Sequence, residues 1–388
     1  MINIFIVRIL GAAGSGPYFN ELYVLNFVVF IFSAGLDYSV IALISQEPKL
    51  LPVIHKMLFR AILLFSAVML FYVFVLLPYS NNYFKQPSLS ILFFSIGNLL
   101  LIFYQGVLSA LKKFNRQNII LCVTNILFLG WLLLFSQHKT QGNIHTVEDT
   151  YAILFFLQGV LMWVFSRTGS MPLTVSVSWN VFIRPGIYIM ASSLVYFAFL
   201  RIDNFFVQKY TDNITLGNYV QCGKIGQYFL YFSSVISSTL LPFISSETVG
   251  SSFTEWKKMM RPYIILLSAG ALAIALFGKS CFPLLFGNDF KDMYPFMIIL
   301  LPGFVCLGML TLINAVYIGK GNIRKILTGD LFGLIMVMGF DAWLVPKYGA
   351  YAAAIISSVA YCLVFLYLLM NFKKQFSLPA KTSEIIEI

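Results

Sequence analysis

The sequence predicts an all-α polytopic membrane protein of about twelve transmembrane helices, the first of them truncated, in two pseudo-symmetric six-helix lobes around a central cavity. Three observations predict it. The 388 residues are 59% hydrophobic and only 11% charged, with a mean hydropathy of +0.85, whereas a soluble domain carries about 25% charged residues. Eleven segments are apolar over the length needed to cross a bilayer, which is about 20 residues. Short motifs of the first half also recur in the second half, in the same order.

Residues 1–10, MINIFIVRIL, are apolar but too short to span. They lack the charged start and the cleavage site of a signal peptide, and they read as the tail of a first helix whose beginning lies outside the sequence. Complete spans follow at roughly 18–46, 54–78, 88–111, 117–136, 149–166, 184–209, 215–246, 262–287, 292–318, 325–346 and 349–372. The intervening loops are short, so no extramembrane domain is expected to carry soluble chemistry. Of the 26 Lys and Arg residues, 17 fall on one side of the membrane, 7 on the other and 2 within it. The richer side includes Lys56, Arg60, Lys112, Arg116, Arg261, Arg324 and the tail, which places the C-terminus in the cytoplasm by the positive-inside rule. The net charge of +11 therefore reflects membrane topology, and no nucleic-acid partner is expected.

The lobes are expected at 1–166 and 184–372, joined by a cytoplasmic linker at 167–183 and followed by a cytoplasmic tail at 373–388. The repeat rests on two signatures. GSGPYFNELYVL and ITLGNYVQCGKIG each put Gly-x-Tyr where the chain re-enters the membrane, at Gly16–Tyr18 and Gly217–Tyr219. ALKKFNRQNI and YIGKGNIRKI each place Lys-x-x-x-Arg in a cytoplasmic turn, at Lys112/Arg116 and Lys320/Arg324. An even number of helices per half leaves both halves in the same orientation, a parallel repeat.

The stretch FLRIDNFFVQKYTDNITLGNYVQCGK raises the functional question, because Arg201, Asp203 and Lys224 lie inside apolar segments. With the turn near Asp212, both cations sit about eleven residues from it, or ~16 Å at 1.5 Å per residue, near the midplane of a ~30 Å core. Two cations at one depth on adjacent helices repel, so neither is the other's partner. Asp203 lies two positions from Arg201, about 200° around the helix, so the two are not expected to share a face. One reading is a structural ion pair, Asp203 with Lys224 or with a polar group elsewhere. The other is a water-filled cavity with excess positive charge, suited to an anionic substrate; charges inside a membrane are functional by default.

Asp330, Asp37 and Asp341, the last close to the opposite end of the helix that carries Asp330, are each candidates for coupling to H+ or Na+, the alternative being pairing with a helix end or interfacial water. No cofactor motif is present: there is no Walker loop, no HExxH and no GxSxG, and the turn at 319–322 lacks the GxxxxGK[ST] of a phosphate loop. The chain is not expected to be an enzyme. Cys122, Cys222, Cys281, Cys306 and Cys362 form no CxxC pair and read as buried apolar residues, and His55, His138 and His145 read as solvated loop residues, so no metal site is expected.

VRILGAAGSGPY resembles the R-x-LG-x-x-G-x-G-x-Y segment that ends the first helix of bacterial polysaccharide flippases, the Wzx-like branch of the MOP exporter superfamily with its MATE-like fold. LRIDNFFVQKYTDNITLGNYVQCGKI resembles that family's seventh helix and the start of its eighth. PLLFGNDFKDMYPFMIILLPGF and LVPKYGAYAAAIISSVAYC resemble its ninth-to-tenth and last two helices. The resemblance covers nearly the whole chain and departs only at the N-terminus, which lacks about half of helix one. It implies a flippase that moves undecaprenyl-pyrophosphate-linked oligosaccharides across the bacterial inner membrane for O-antigen, capsule or exopolysaccharide synthesis. Its expected partners are membrane lipids, polysaccharide polymerase and glycosyltransferases. It implies head-group binding by Arg201 and Lys224, with Asp203 as a balancing or proton-sensing partner and Arg8 as a weaker candidate. The competing readings are a MATE-type small-molecule exporter, for which acidic residues should dominate the cavity, and a membrane-embedded polymerase or ligase, for which a long Arg- or His-bearing loop should be present.

Overall fold

The computed structural model describes residues 2–76, 88–137, 144–167, 178–246, 249–319 and 322–376. They form eleven helical elements: α1 (Ile2–Ser33), α2 (Leu36–Gln46), α3 (Leu51–Phe71), α4 (Ser88–Ala110), α5 (Phe114–Gln137), α6 (Ile144–Ser166), α7 (Trp179–Tyr210), α8 (Asn213–Ser246), α9 (Val249–Phe286), α10 (Met293–Gly319) and α11 (Ile323–Phe376). Among the described residues, nine elements are long and apolar enough to cross a membrane. Two elements contain a break. Backbone torsions leave the helical region at Gly11 (φ 66°) and Gly349 (φ 62°), a left-handed conformation that glycine adopts without steric cost.

At Gly349 the chain reverses. A Cβ on Gly329 would meet the Leu368 side chain and one on Gly333 would meet Val364, so the two halves of α11 run antiparallel beside each other. The spans expected at 325–346 and 349–372 are therefore the two arms of one hairpin. With α1 also divided at Gly11, and α2 continuing the arm that ends at Ser33, the described residues form twelve helical segments. The all-α class of about twelve helices expected from the sequence is the one observed.

The chain divides into two compact units, one of Met1–Leu10 and Tyr18–Leu194, the other of Gly11–Pro17 and Val195–Ile388. The division thus falls within α7, after Leu194. In the first unit α4 is the central helix and packs along α6, α2 and α3. The α4–α6 crossing is close because glycines meet there: a Cβ on Gly159 would come within 2.5 Å of the Gly97 carbonyl oxygen. Asn98 donates to Asn26 across the same core. His55 is not a loop residue. It lies in α3, half-buried, with its ring stacked on Tyr104 at 5.4 Å, because the helix begins at Leu51 rather than beyond it.

In the second unit α10 is central and packs against α8, α9 and α11. The α7–α8 turn is capped by Asp212, whose Oδ1 accepts the Thr215 amide at 2.6 Å and satisfies a free donor of the first turn of α8. Asn218 ties α8 to the short turn after α9 through the Asp289 carbonyl at 3.0 Å. The two repeated glycines touch: a Cβ on Gly16 would lie 2.5 Å from the Gly217 nitrogen. Large apolar side chains such as Leu64, Ile126, Leu134, Ile265, Leu276 and Trp343 remain exposed, as expected of surfaces solvated by lipid. Cys122 and Cys281 are exposed in the same way, unlike the buried Cys222.

Candidate functional site

Arg201, Asp203 and Lys224 lie near the junction of α7, α8, α10 and the second arm of α11. Arg201 lies nine residues before the end of α7 and Lys224 eleven residues into α8, which sets both about 14–16 Å from their shared turn. Both are half-buried, and they lie within electrostatic reach of each other. The Arg201 guanidinium rests on the α8 backbone, where a Cβ on Gly223 would come within 2.8 Å of its Nη1. Glycine at 223 therefore makes room for the cation.

Asp203 is buried and accepts three hydrogen bonds. The Tyr219 hydroxyl donates to its Oδ2 at 2.6 Å, the Ser357 hydroxyl donates to the same oxygen at 2.9 Å, and the Asn204 amide donates to its Oδ1 at 2.8 Å. The carboxylate thus ties α7 to α8 and to the second arm of α11.

Arg201 and Asp203, expected on different faces of α7, in fact line the same cavity, of about 20 Å3, with Tyr219, Gln227, Phe304 and Tyr361. The ~200° separation holds at the Cβ atoms, but the long Arg side chain turns back across Gly223. The two charges lie within electrostatic reach of each other. A cavity of this volume has room for about one water molecule or a bare ion.

Two further carboxylates join the cluster. Asp341, fully buried, lies within electrostatic reach of both Asp203 and Tyr219, and neither of its oxygens has a hydrogen-bond partner among the described residues. Asp330, also buried and without such partners, reaches Tyr196, which in turn reaches Arg201. The remaining sequence candidates lie elsewhere. Arg8 is exposed in the first arm of α1 and Asp37 is half-buried in α2, both in the first unit. No group of three or more metal-ligating His, Cys, Asp or Glu side chains occurs among the described residues.

Sequence reasoning missed Ser357 and gave Tyr219 only a turn role. The available signals were the polar pair Ser357–Ser358 inside an apolar run, and the repeat of the Tyr itself.

Comparison with protein-family models and with curated protein sequences found no match. Solved structures do match. Lipid II flippase MurJ in an inward closed conformation superposes with a TM-score of 0.74 over 96% of this chain and 85% of its own, at 16% identity. A multidrug resistance MATE family transporter of the MOP superfamily, inward-facing, gives 0.72 over 97% and 93%, at 14% identity. The Vibrio cholerae MATE transporter VcmN, in its bent form, gives 0.63 over 97% and 98%, also at 14% identity. The chain has the fold of these transporters. At such identities the likeness is one of architecture alone, shared by a lipid flippase and by multidrug exporters.

Proposed function

We propose that the protein is a flippase of the bacterial inner membrane that translocates undecaprenyl-pyrophosphate-linked oligosaccharides, its C-terminus in the cytoplasm. In this reading it receives substrate from glycosyltransferases and delivers it to a polysaccharide polymerase. The observation that carries it is that Arg201 and Lys224, set at similar distances from the α7–α8 turn, lie within electrostatic reach of each other, with Arg201 lining a small cavity beside Gly223. A pyrophosphate brought into a low-dielectric region is costly unless cations already stand there. The guanidinium engages phosphate oxygens in a planar fork, and the ammonium adds a compact point charge. The cavity itself holds about a water molecule, so the head group meets Arg201 at its rim, with Lys224 within electrostatic reach of that cation. Asp203, held by Tyr219 and Ser357, keeps the helices in register around them.

The coupling ion, H+ or Na+, is assigned in the same proposal to Asp203, which lines a space of ionic size with Tyr219, and to Asp341, which lies within electrostatic reach of Asp203. Asp330 is a second candidate for a proton.

A second reading, a MATE-type exporter of small molecules, draws on Asp341 and Asp330, because buried carboxylates suit cationic cargo. The deciding experiment measures surface glycan and lipid-linked intermediates in cells that carry Arg201→Ala or Lys224→Ala, with membrane protein level as the control. Loss of glycan, with the intermediate accumulating on the cytoplasmic side, is expected from either variant. Normal glycan at normal protein level overturns the flippase reading, and loss of cationic drug efflux on Asp341→Asn would then establish the exporter.

A further inference from the structure

Helix α10 and the second arm of α11 run in the same direction, and their contacts climb both together. The Gly303 amide donates to the Ser358 hydroxyl at 3.2 Å, and a Cβ on Gly303 would come within 2.8 Å of the Ser358 Cα. Beside that crossing Phe304 stacks on Tyr361, with ring centroids 6.4 Å apart. Further along, Tyr317 meets Phe372 edge to face at 6.0 Å. Cys306 and Cys362 fall in the same ladder, three residues past Gly303 and four past Ser358, and so on the same helix faces. Their thiols share a hydrogen bond, and both are half-buried. A disulfide needs Cα atoms about 4.4–6.8 Å apart, and a crossing at which a glycine Cβ would meet a backbone atom brings two helices that near. The other cysteines stand differently. Cys122 and Cys281 are exposed, and Cys222 is buried with its thiol on the Met293 carbonyl at 3.2 Å.

We propose that Cys306 and Cys362 form a redox modification site, oxidised by hydrogen peroxide to a disulfide that staples α10 to the second arm of α11. One sulfur attacks the peroxide. The O–O bond breaks, a water leaves with the thiol proton, and that sulfur becomes a sulfenic acid. The second thiol then attacks it, the S–O bond breaks, the disulfide forms and a second water leaves. Two thiols and one peroxide thus give one disulfide and two waters. The hydrogen bond already holds the resolving sulfur against the first, so the sulfenic acid is captured within the chain. The oxidant must be small and uncharged, because both cysteines lie on membrane-spanning helices, where an ion is costly to desolvate. Phe304 and Tyr361, close neighbours of the pair in sequence, line the cavity of Arg201 and Asp203. Oxidation therefore fixes one wall of that cavity without touching its charges. The inference holds whichever cargo the protein carries.

The test uses the full chain in lipid nanodiscs, reduced with dithiothreitol and then exposed to hydrogen peroxide. Remaining thiols are blocked with N-ethylmaleimide after denaturation, and the peptides are mapped by mass spectrometry. Peroxide is expected to link the peptides of Cys306 and Cys362 and to remove most of the maleimide label from both, with the label restored by dithiothreitol. Cys122 and Cys281 should enter no such link, and none should form in Cys306→Ser or Cys362→Ser. The melting temperature of the unsubstituted chain should rise on oxidation, because the disulfide closes a loop in the unfolded chain, whereas that of either serine variant should not. Full labelling of Cys306 and Cys362 after peroxide, oxidation of each without a link, or links to Cys122 or Cys281 instead overturns the proposal and leaves two thiols that only pack. A link formed with no rise in melting temperature overturns the staple. The linkage is read on the unsubstituted chain, so the result stands even where a serine variant fails to fold.

Discussion

Tyr18 and Tyr219 stand 201 positions apart, each third in a Gly-x-Tyr at the start of a helix run, and each is buried against carboxylates. In the first unit Tyr18 lies within electrostatic reach of Glu21, Glu148 and Asp149. Its hydroxyl has no hydrogen-bond partner among the described residues. The acids around it are held by other groups: Glu148 pairs with His145 at 3.1 Å, and Asp149 accepts from Ser90. In the second unit Tyr219 donates to Asp203, and the same carboxylate is reached by Ser357 and lies near Arg201. One local motif thus serves an acidic pocket in one unit and a mixed cation–carboxylate network in the other. The difference teaches that the repeat conserves where the tyrosine is placed and leaves its chemistry to residues delivered by distant helices.

The largest effect expected from that contrast is on removing the acid. Asp203→Ala strands two buried hydroxyl donors, at about 2 kcal/mol each, so thermal unfolding in detergent should report a loss of about 4 kcal/mol. Glu148→Ala should cost only about 1 kcal/mol, since its partner His145 has a side chain 61% exposed and is readily rehydrated. Equal losses would mean that the two acids are equivalent supports.

Next come the glycine crossings, where the comparison should show similarity. A Cβ on Gly159 would lie 2.5 Å from the Gly97 oxygen, and one on Gly217 would lie 2.1 Å from the Ala12 oxygen. Leucine at either position should cost about 3 kcal/mol through overpacking, read as a fall in the melting temperature and in membrane abundance. A variant that folds normally would show that its crossing is not tight.

The smallest effect is the sharpest. Tyr219→Phe removes a buried hydrogen bond to Asp203 and should cost about 1 kcal/mol. Tyr18→Phe should be close to neutral, because no bond is lost. Parallel melts of the two variants would break the comparison if Tyr18→Phe proved the more damaging.

Much of the architecture was legible because lipid imposes a simple rule. Every span must be apolar for about 20 residues, so hydropathy alone located the segments but not all of their ends: α9 begins at Val249, well before the span expected from 262. What it could not show was that spans expected at 325–346 and 349–372 form one hairpin through Gly349, since the turn there is a single backbone torsion. The site was legible in its charges. Arg201, Asp203 and Lys224 stand out because an ionisable side chain inside a membrane is costly.

The sequence by itself determined the composition, the order of the helices, the repeated Gly-x-Tyr and the similar distance of Arg201 and Lys224 from their shared turn, all of which follow from local periodicity and length. Only the tertiary structure decided the partners. It brought Ser357, 154 residues away, onto Asp203, set Asp341 beside them, and folded Arg201 over Gly223 so that cation and carboxylate line one cavity. It also set Cys306 against Cys362. The reason is that hydrogen bonds and charge contacts depend on which helix faces meet, and helix packing selects those faces through small residues and ring stacks far apart in the chain.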